Sequence, residues 1–416
     1  MRTYKAGGRQ GFEAAKERRA YFISESLLLG AKEMKPEMVI FSRLSFGIGL
    51  LFSLLSCSES PKDGVKTVLS MPPEPQPKGY VCYRTTAPVV PDGILNELAW
   101  EQVPWTDYFV DIEGSAKPAP KWKTHAKMLW DDNNLYIAAE IEDPHVWAKL
   151  KLRDTVIFYD NDFEVFIDPD GDTHAYYELE VNALGTVWDL LLLKPYRDGG
   201  PPVNGWNIAG LQVGTHIDGT INNPLDTDKG WSVEIIIPLS ALKECAKGAS
   251  IPVAGDQWRI DFSRVEWRTL IENGTYKKEI NPTTAKPYPE DNWVWSPQGR
   301  INMHMPEMWG VLQFSSILAG NGKEEYVADP DLKIKWALRK VYYAEFDYFV
   351  KNNTYSSSMA DIGLSLKDFP ENLTAPVIHS TRTTFESYIP SEKVGRQWTI
   401  YQDGRIVNIS GSSLLK

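Results

Sequence analysis

The sequence of 416 residues is poor in the side chains that most often perform chemistry, with six histidines and three cysteines. The histidines are scattered, and no HExxH, CxxC or P-loop spacing occurs. No CxxCH motif for covalent haem attachment is present either. The common signatures of zinc hydrolases, thioredoxin-like enzymes, nucleotide-binding loops and c-type cytochromes are therefore missing.

Basic residues are also under-represented, because 44 Lys and Arg stand against 55 Asp and Glu, for a formal net charge of −11. Binding to phosphate backbones needs a basic surface, so no nucleic-acid partner is expected. Tryptophan, by contrast, is abundant: 13 of the 15 lie between Trp100 and Trp309. They fill the core of a β-rich domain, or some of them form stacking platforms on its surface.

Long apolar runs are scarce, and the run from Leu44 to Leu55 is too short to span a bilayer comfortably. Its position is typical of a signal peptide. The following Leu-Leu-Ser-Cys resembles a bacterial lipobox, which predicts lipidation of Cys57. We therefore expect residues 1–37 to be an upstream extension and residues 38–57 a lipoprotein signal peptide. A plain secretory signal that contains a cysteine is the alternative.

Residues 58–78 are polar and proline-rich, as expected of a linker. In residues 79–316, short alternating apolar runs are separated by Gly, Pro, Asn and Asp. This spacing predicts an all-β fold, an antiparallel β-sandwich or jelly-roll. One short helix is predicted at PLSALKECA, with Ser240 as its N-cap.

Cys82 and Cys245 form a disulfide in an oxidising compartment or remain two buried thiols.

Residues 325–416 have a different pattern. DPDLKIKWALRKVYYAEFDYFVKN carries apolar residues at helical spacing after an Asp-Pro start, which predicts a helix of several turns. RQWTIYQDGRIVNIS predicts a β-hairpin about Asp403 and Gly404. We expect a small C-terminal extension of a helix plus a β-hairpin, either a second domain or an appendage of the sandwich.

The stretch DNDFEVFIDPDGDTHAYYELEVNALG, residues 160–185, predicts a β-hairpin with one apolar and one acidic face. Alignment of the apolar faces pairs Val165 with Tyr177. The same alignment places the polar side chains opposite one another: Glu164 with Glu178, Asp162 with Glu180, and Asp160 with Asn182. Like charges opposite each other destabilise a sheet. We expect compensation from an arginine such as Arg264, from a cation, or from a ligand rich in hydroxyls.

The turn of this hairpin places Asp168, Asp170 and Asp172 at the first, third and fifth positions of a calcium loop. The twelfth position, where an EF-hand needs Glu, is Leu179. Calcium at the three aspartates is therefore one hypothesis, and an Asp-rich turn formed for backbone reasons is the other. The sequence predicts no other cofactor.

Six segments in order resemble the family 9 carbohydrate-binding modules, which are β-sandwich domains often attached to xylanases. They are VPDGILNELAW, AKMLWDDNNLYIAAEIEDP, DNDFEVFIDPDGD, YYELEVNALGTVWD, GWSVEIIIPLSAL and WGVLQF. The resemblance covers about residues 79–316. It implies a site that holds a sugar end between two aromatic rings, with acidic and amide side chains bonding its hydroxyls.

Carried over by position, the family's glutamate falls on Glu164 and its first aromatic on Phe158. The family's basic residue falls on Glu180, so an acid replaces it here. Trp293 and Trp295 are the candidates for the second aromatic, although that position aligns nearer Met303. The full predicted ligand-binding set is Phe158, Glu164, Glu178, Glu180, Asn182, Ser263, Arg264, Trp293 and Trp295.

Together these features predict a non-catalytic carbohydrate-binding lipoprotein of the bacterial envelope, anchored in the outer membrane, that supports carbohydrate catabolism. An accessory role in a xylanase-like glycoside hydrolase system is one variant. Because His304 lies between Met303 and Met305, a haem-binding electron-transfer sandwich is an alternative. A structural or protein-interaction lipoprotein is another. Glu164 and Glu178 at cross-strand distance would lie too close for a glycosidase pair.

Overall fold

The computed structural model describes residue 69 and residues 71–390 and 396–410. The predicted upstream extension, the signal peptide with Cys57 and most of the linker lie outside these residues. Among the described residues, no helix combines the length and the apolar character needed to cross a membrane.

The sandwich is formed by one sheet of thirteen strands. Its first eleven strands are β1 (Gly79–Arg84), β2 (Val110–Asp111), β3 (Thr124–Trp130), β4 (Asn134–Glu142), β5 (Asp162–Asp168), β6 (Tyr176–Asn182), β7 (Val187–Leu192), β8 (Pro202–Val203), β9 (Gln212–Asp218), β10 (Gly230–Pro238) and β11 (Gln257–Glu266). Two small hairpins follow, formed by β12 (Thr269–Glu272) with β13 (Thr275–Lys278) and by β14 (Ile280–Asn281) with β15 (Lys286–Pro287). The sheet is completed by β16 (Asp291–Val294) and β17 (Gly310–Leu318).

The strand order is β8-β7-β6-β5-β11-β17-β1-β3-β4-β10-β9, with β16 beside β11 and β2 beside β16. All pairs are antiparallel except those of β1, which runs parallel to both β17 and β3. The predicted all-β sandwich is therefore confirmed, with one parallel strand at its centre.

Alternating apolar side chains bring the two halves of this sheet together around one core. Val165 of β5 and Phe262 of β11 pack there with Ile137 of β4 and Ile235 of β10, and each is at most 1% exposed. Burying such a side chain contributes on the order of 1.5–3 kcal/mol. Because strand side chains alternate, the even-numbered residues of β5 point to the other side of the sheet.

Within the described residues, three α-helices are present: α1 (Leu98–Glu101), α2 (Leu239–Leu242) and α3 (Leu332–Asn352). The predicted short helix is α2, but Ser240 is not its N-cap. β10 runs to Pro238, which occupies the N-cap position without a side-chain hydrogen bond, so Ser240 lies inside the helix. The predicted long helix is α3, which ends at Asn353 in the left-handed conformation with φ 53°.

The C-terminal extension contains more sheet than predicted. The hairpin about Asp403 and Gly404 is confirmed, but it belongs to a four-stranded antiparallel sheet. Its strands are β18 (Val377–Ser380), β19 (Phe385–Pro390), β20 (Arg396–Tyr401) and β21 (Ile406–Ser410). Side chains of α3 and this sheet form a second core with Met305 and Met308 of the sandwich, so the extension packs directly on the sandwich.

Of the two alternatives for Cys82 and Cys245, the structure shows the unpaired thiols and not the disulfide. Cys82 is buried in the sandwich core, Cys245 is half-buried at its edge, and both are free thiols.

Candidate functional site

The acidic face predicted from the sequence is present on β5 and β6, but the two strands pair in a different register from the predicted one. The observed pairs are Asp162 with Asn182, Glu164 with Glu180, Val165 with Leu179, and Phe166 with Glu178. The predicted pairs of Val165 with Tyr177, Glu164 with Glu178, Asp162 with Glu180 and Asp160 with Asn182 are therefore wrong, by two residues. Because the shift is even, every acid remains on its predicted face.

The turn accounts for the shift. The carboxylate of Asp168 accepts hydrogen bonds from the amides of Gly171 (3.0 Å) and Thr173 (2.9 Å). Thr173 and Ala175 adopt positive φ values of 75° and 48°. These contacts hold a turn wider than a tight hairpin, and the amide of Ile406 in β21 bonds to it from the extension.

One row of side chains crosses this face of the sheet. Ser263 of β11, Glu164 of β5, Glu180 of β6 and Trp188 of β7 are successive cross-strand neighbours. Trp188 is only partly buried. Sequence reasoning missed Trp188, although continuing the alternation into the third strand of the meander would have placed it beside Glu180.

The row lies at a cleft of about 330 Å³. Aromatic rings and carboxylates both line it: Phe158, Trp188, Tyr196, Glu164, Glu178, Glu180 and Glu290. Asn292 of β16 also lines it, as do Ile301, Met303 and His304 of the segment between β16 and β17. Tyr196 is 46% exposed, so the cleft is open to solvent. Rings beside carboxylates suit a ligand with apolar faces and many hydroxyls.

The acids of this cleft are buried and lack basic partners. Burial raises the pKa of Glu164 to about 7, an effect that Ser263 opposes and Glu290 strengthens. Burial and the neighbouring carboxylates hold the pKa values of Glu178 and Glu180 well above the usual range. In the part of the chain that the structure describes, no Lys or Arg forms an ion pair with these three acids. The expected compensation by arginine is therefore not found.

Arg264 lies on the opposite face of the sheet, where it cannot balance the acidic row. Its cross-strand neighbour is Phe163 of the core, and its side chain is 1% exposed. The guanidinium bonds to Glu266 at 2.7 Å and lies 5.0 Å from the ring centroid of Trp293. The prediction that Arg264 belongs to the ligand site is wrong because strand alternation directs it inward.

Trp293 and Trp295 are also core residues, 4% and 1% exposed. A Cβ on Gly310 would approach the ring of Trp295 to 2.4 Å, so a glycine is needed where β17 passes that ring. Neither tryptophan presents a face to the cleft, and the prediction that they supply stacking surface is wrong. Met303 lines the cleft instead.

The remaining predicted residues are divided between the cleft and its support. Phe158 is half-buried, lines the cleft and donates its amide to Glu180 at 3.0 Å. Ser263 is fully buried in the row. Asn182 is fully buried, and its amide group accepts from the Leu184 and Thr186 amides and donates to Asp160. Asn182 therefore shapes the β6–β7 turn and has no group directed at a ligand.

The aspartate turn brings Asp168, Asp170 and Asp172 together, with a carboxylate oxygen from each within 4.8 Å of the others. Arg405 of the extension donates to Asp172 at 2.7 Å. An arginine thus already neutralises part of the charge that calcium would neutralise. Calcium binding at this turn stays a prediction.

His304 does not form a set of haem ligands with its neighbours. Its Nδ1 lies 3.0 Å from the hydroxyl of Tyr176, and burial together with Arg197 lowers its pKa to about 3. Met303 packs under the cleft, whereas Met305 packs in the core shared with the extension. The two sulfurs therefore belong to different clusters, and the haem alternative gains no support.

A second groove of about 500 Å³ lies over β3, β4, β9 and β10. Tyr108 stacks on His125, which contacts Glu140 at 3.1 Å. This groove is lined by exposed side chains, including Tyr108 and His216. It has no counterpart of the buried acidic row and is the rival site that any binding experiment must exclude.

Comparison with known proteins agrees with the sequence motifs. Residues 91–255 match the model of the family described as carbohydrate family 9 binding domain-like. No curated protein matches the chain.

Solved structures that are similar to the chain include the following three. One is a Bacteroides uniformis protein described as a candidate carbohydrate-binding protein, with 16% identity and a TM-score of 0.43, covering 58% of this chain and 100% of its own. The others are Caldicellulosiruptor kristjanssonii family 9 carbohydrate-binding modules with cellotriose and with glucose. Their identities are 17% and 16%, their TM-scores are 0.36, and they cover 60% and 61% of this chain and 100% of their own.

Proposed function

We propose that the protein binds carbohydrate in the acidic cleft without catalysing a reaction, because residues 91–255 match the model of the carbohydrate family 9 binding domain-like family. The observation that supports this site most directly is the row of Glu164, Glu180 and Trp188 at a solvent-open cleft. It joins hydrogen-bonding groups to an aromatic ring within one rigid sheet.

The aromatic ring suits the apolar C–H face of a sugar, and the carboxyl groups suit its hydroxyls. The C–H face of a pyranose ring stacks on Trp188, whose indole Nε1 is buried and has no hydrogen-bond partner among the described residues. Glu164 and Glu180 form strong hydrogen bonds with hydroxyl groups in either protonation state. The volume of about 330 Å³ is near the lower end of the range for small-molecule sites. We therefore propose an oligosaccharide or the end of a polysaccharide as the ligand.

The cellular part of the proposal has separate support. The lipobox-like sequence before Cys57 supports an exported protein anchored by lipid in the bacterial outer membrane. In that place the cleft would capture polysaccharide ends and serve carbohydrate catabolism as an accessory to glycoside hydrolases. A structural or protein-interaction role at the envelope is the remaining alternative.

Calorimetric titration of the full-length chain with xylo-, gluco- and galacto-oligosaccharides tests the binding proposal. We expect saturable binding of at least one series, and loss of that binding in Glu164→Ala. Glu272→Ala is the matched control, because Glu272 is an exposed acid on β12. Absence of binding throughout the panel would contradict the proposal, and release of shorter sugars from the same panel would contradict its non-catalytic part.

A further inference from the structure

The acidic face contains one carboxylate whose position neither the sheet nor the sugar-binding proposal explains. Asp162 is fully buried at the start of β5. Neither of its oxygens has a hydrogen-bond partner of good geometry among the described residues. The Val265 amide only partly offsets the effect of burial, which raises the pKa of Asp162 well above its usual range. An unpaired buried carboxylate costs several kcal/mol, so its retention calls for a partner.

Asp162 is directed at two other acids. One carboxylate oxygen from each of Asp162, Glu164 and Glu180 lies within 4.8 Å of the others, and all three residues are at most 5% exposed. Calcium binds carboxylate oxygens at about 2.3–2.6 Å. Two ligands on opposite sides of such an ion are therefore about 5 Å apart, and the three carboxylate oxygens lie within that separation of one another.

The geometry points to a divalent cation site, suited to calcium, formed by Asp162, Glu164 and Glu180 at the floor of the cleft. The three carboxylates supply fewer than the six to eight oxygens that calcium takes. Glu164 and Glu180 line the cleft, so the open positions of the ion face the place where a ligand would lie. Sugar hydroxyls are neutral oxygen donors that can fill them.

The aspartate turn described above is a different site. There, Asp168 accepts two backbone amides and Asp172 accepts from Arg405. In the Asp162 cluster, no described Lys or Arg forms an ion pair with any of the three acids. The three carboxyl groups there have no basic partner among the described residues, and a bound cation would hold them in the ionised form.

Metal binding is tested first and without sugar. The full-length chain, freed of metal with a chelator, is titrated calorimetrically with calcium chloride. We expect a saturable site that Asp162→Asn removes and that Asp170→Asn, the matched change in the aspartate turn, retains. No saturable binding in the unaltered chain overturns the inference. Binding kept by Asp162→Asn and lost by Asp170→Asn also overturns it, and assigns the ion to the turn.

Thermal unfolding separates loss of the site from loss of the fold. Calcium should raise the unfolding midpoint of the unaltered chain and leave that of Asp162→Asn unchanged. Without calcium, Asp162→Asn should unfold at the same or a higher temperature, because it removes a buried carboxyl group that has no hydrogen-bond partner among the described residues. Should Asp162→Asn not fold, Glu180→Gln is the second variant, and calcium affinity retained by that variant overturns the inference.

The role of the ion as a bridge to sugar rests on the proposed function, whereas the metal site does not. An oligosaccharide that binds in calcium should bind at least tenfold more weakly in chelator, with no such dependence in Asp162→Asn. Calcium binding without any sugar binding would contradict only the proposed function. Sugar affinity that is the same in calcium and in chelator would contradict only the proposal that the ion contacts the sugar.

Discussion

The network that joins the sandwich to the extension yields a quantitative prediction. Arg197 follows β7 and bonds to Glu307 at 2.9 Å, and both side chains are at most 7% exposed. Tyr343 of α3 donates to the other oxygen of Glu307. Tyr196, next to Arg197, lines the cleft. The network therefore fixes both the extension and one wall of the candidate site.

The pKa of Glu307 sets the size of the effect. Burial raises this pKa, but Arg197, Arg339 and the bond from Tyr343 outweigh burial and lower it from 4.5 to about 2. A difference of about 2.5 pKa units corresponds to about 3 kcal/mol of stability at neutral pH. Because the folded pKa is the lower one, this contribution is present above pH 4.5 and is lost as the pH falls towards 2.

Glu307→Gln should therefore lower the free energy of unfolding by about 3 kcal/mol at pH 7, or more because the buried Arg197 loses Glu307 and keeps Asp198 as its ion-pair partner. At pH 3 the contribution of the ionised Glu307 falls to about 1 kcal/mol, so the difference between variant and unaltered chain should narrow by about 2 kcal/mol. Urea unfolding at both pH values measures this, with the exposed Glu371→Gln as control. A difference below about 1 kcal/mol at pH 7, or one that does not change with pH, would refute the reasoning.

Three further predictions concern the core, the thiols and the membrane anchor. Trp293→Ala should destabilise the fold by about 3–5 kcal/mol in urea unfolding; a change below 1 kcal/mol would mean that Trp293 is not in the core. Thiol titration should find Cys82 and Cys245 reactive only slowly in the folded chain and fully on denaturation, and a reducing agent should leave stability unchanged. Cys57→Ser should abolish labelling by radioactive palmitate in a bacterial host, and undiminished labelling would exclude the predicted lipid anchor.

Strand alternation made the fold and the acidic face predictable from the sequence, because it depends only on neighbouring residues. The register of the hairpin was not predictable in the same way. An even shift preserves both faces, so the pattern cannot separate Val165 opposite Tyr177 from Val165 opposite Leu179. The bonds of Asp168 within the turn decide between them, and those bonds depend on a wide turn that the extension contacts.

The aromatic residues show the other limit of sequence reasoning. Trp293 and Trp295 lie in a polar-looking segment, DNWVWSP, yet both are core residues because β16 pairs with β11 over the sandwich interior. Trp188 lies in an apolar run, yet it faces the cleft. Composition could not show which tryptophan faces the core and which faces the cleft, since that depends on which strands pair. Likewise, Arg264 lies on the core face of β11, whereas its neighbour Ser263 lies on the face of the cleft, because successive side chains of a strand point to opposite faces.

The central claim is that sugar binds in the acidic cleft and not in the groove over β3, β4, β9 and β10. The most direct test is calorimetric titration of one bound oligosaccharide against Trp188→Ala and Tyr108→Ala, each of which removes one ring from one of the two sites. The account predicts that Trp188→Ala weakens binding at least tenfold, or about 1.4 kcal/mol, while Tyr108→Ala binds as the unaltered chain does. Loss of binding in Tyr108→Ala with full binding in Trp188→Ala would contradict it.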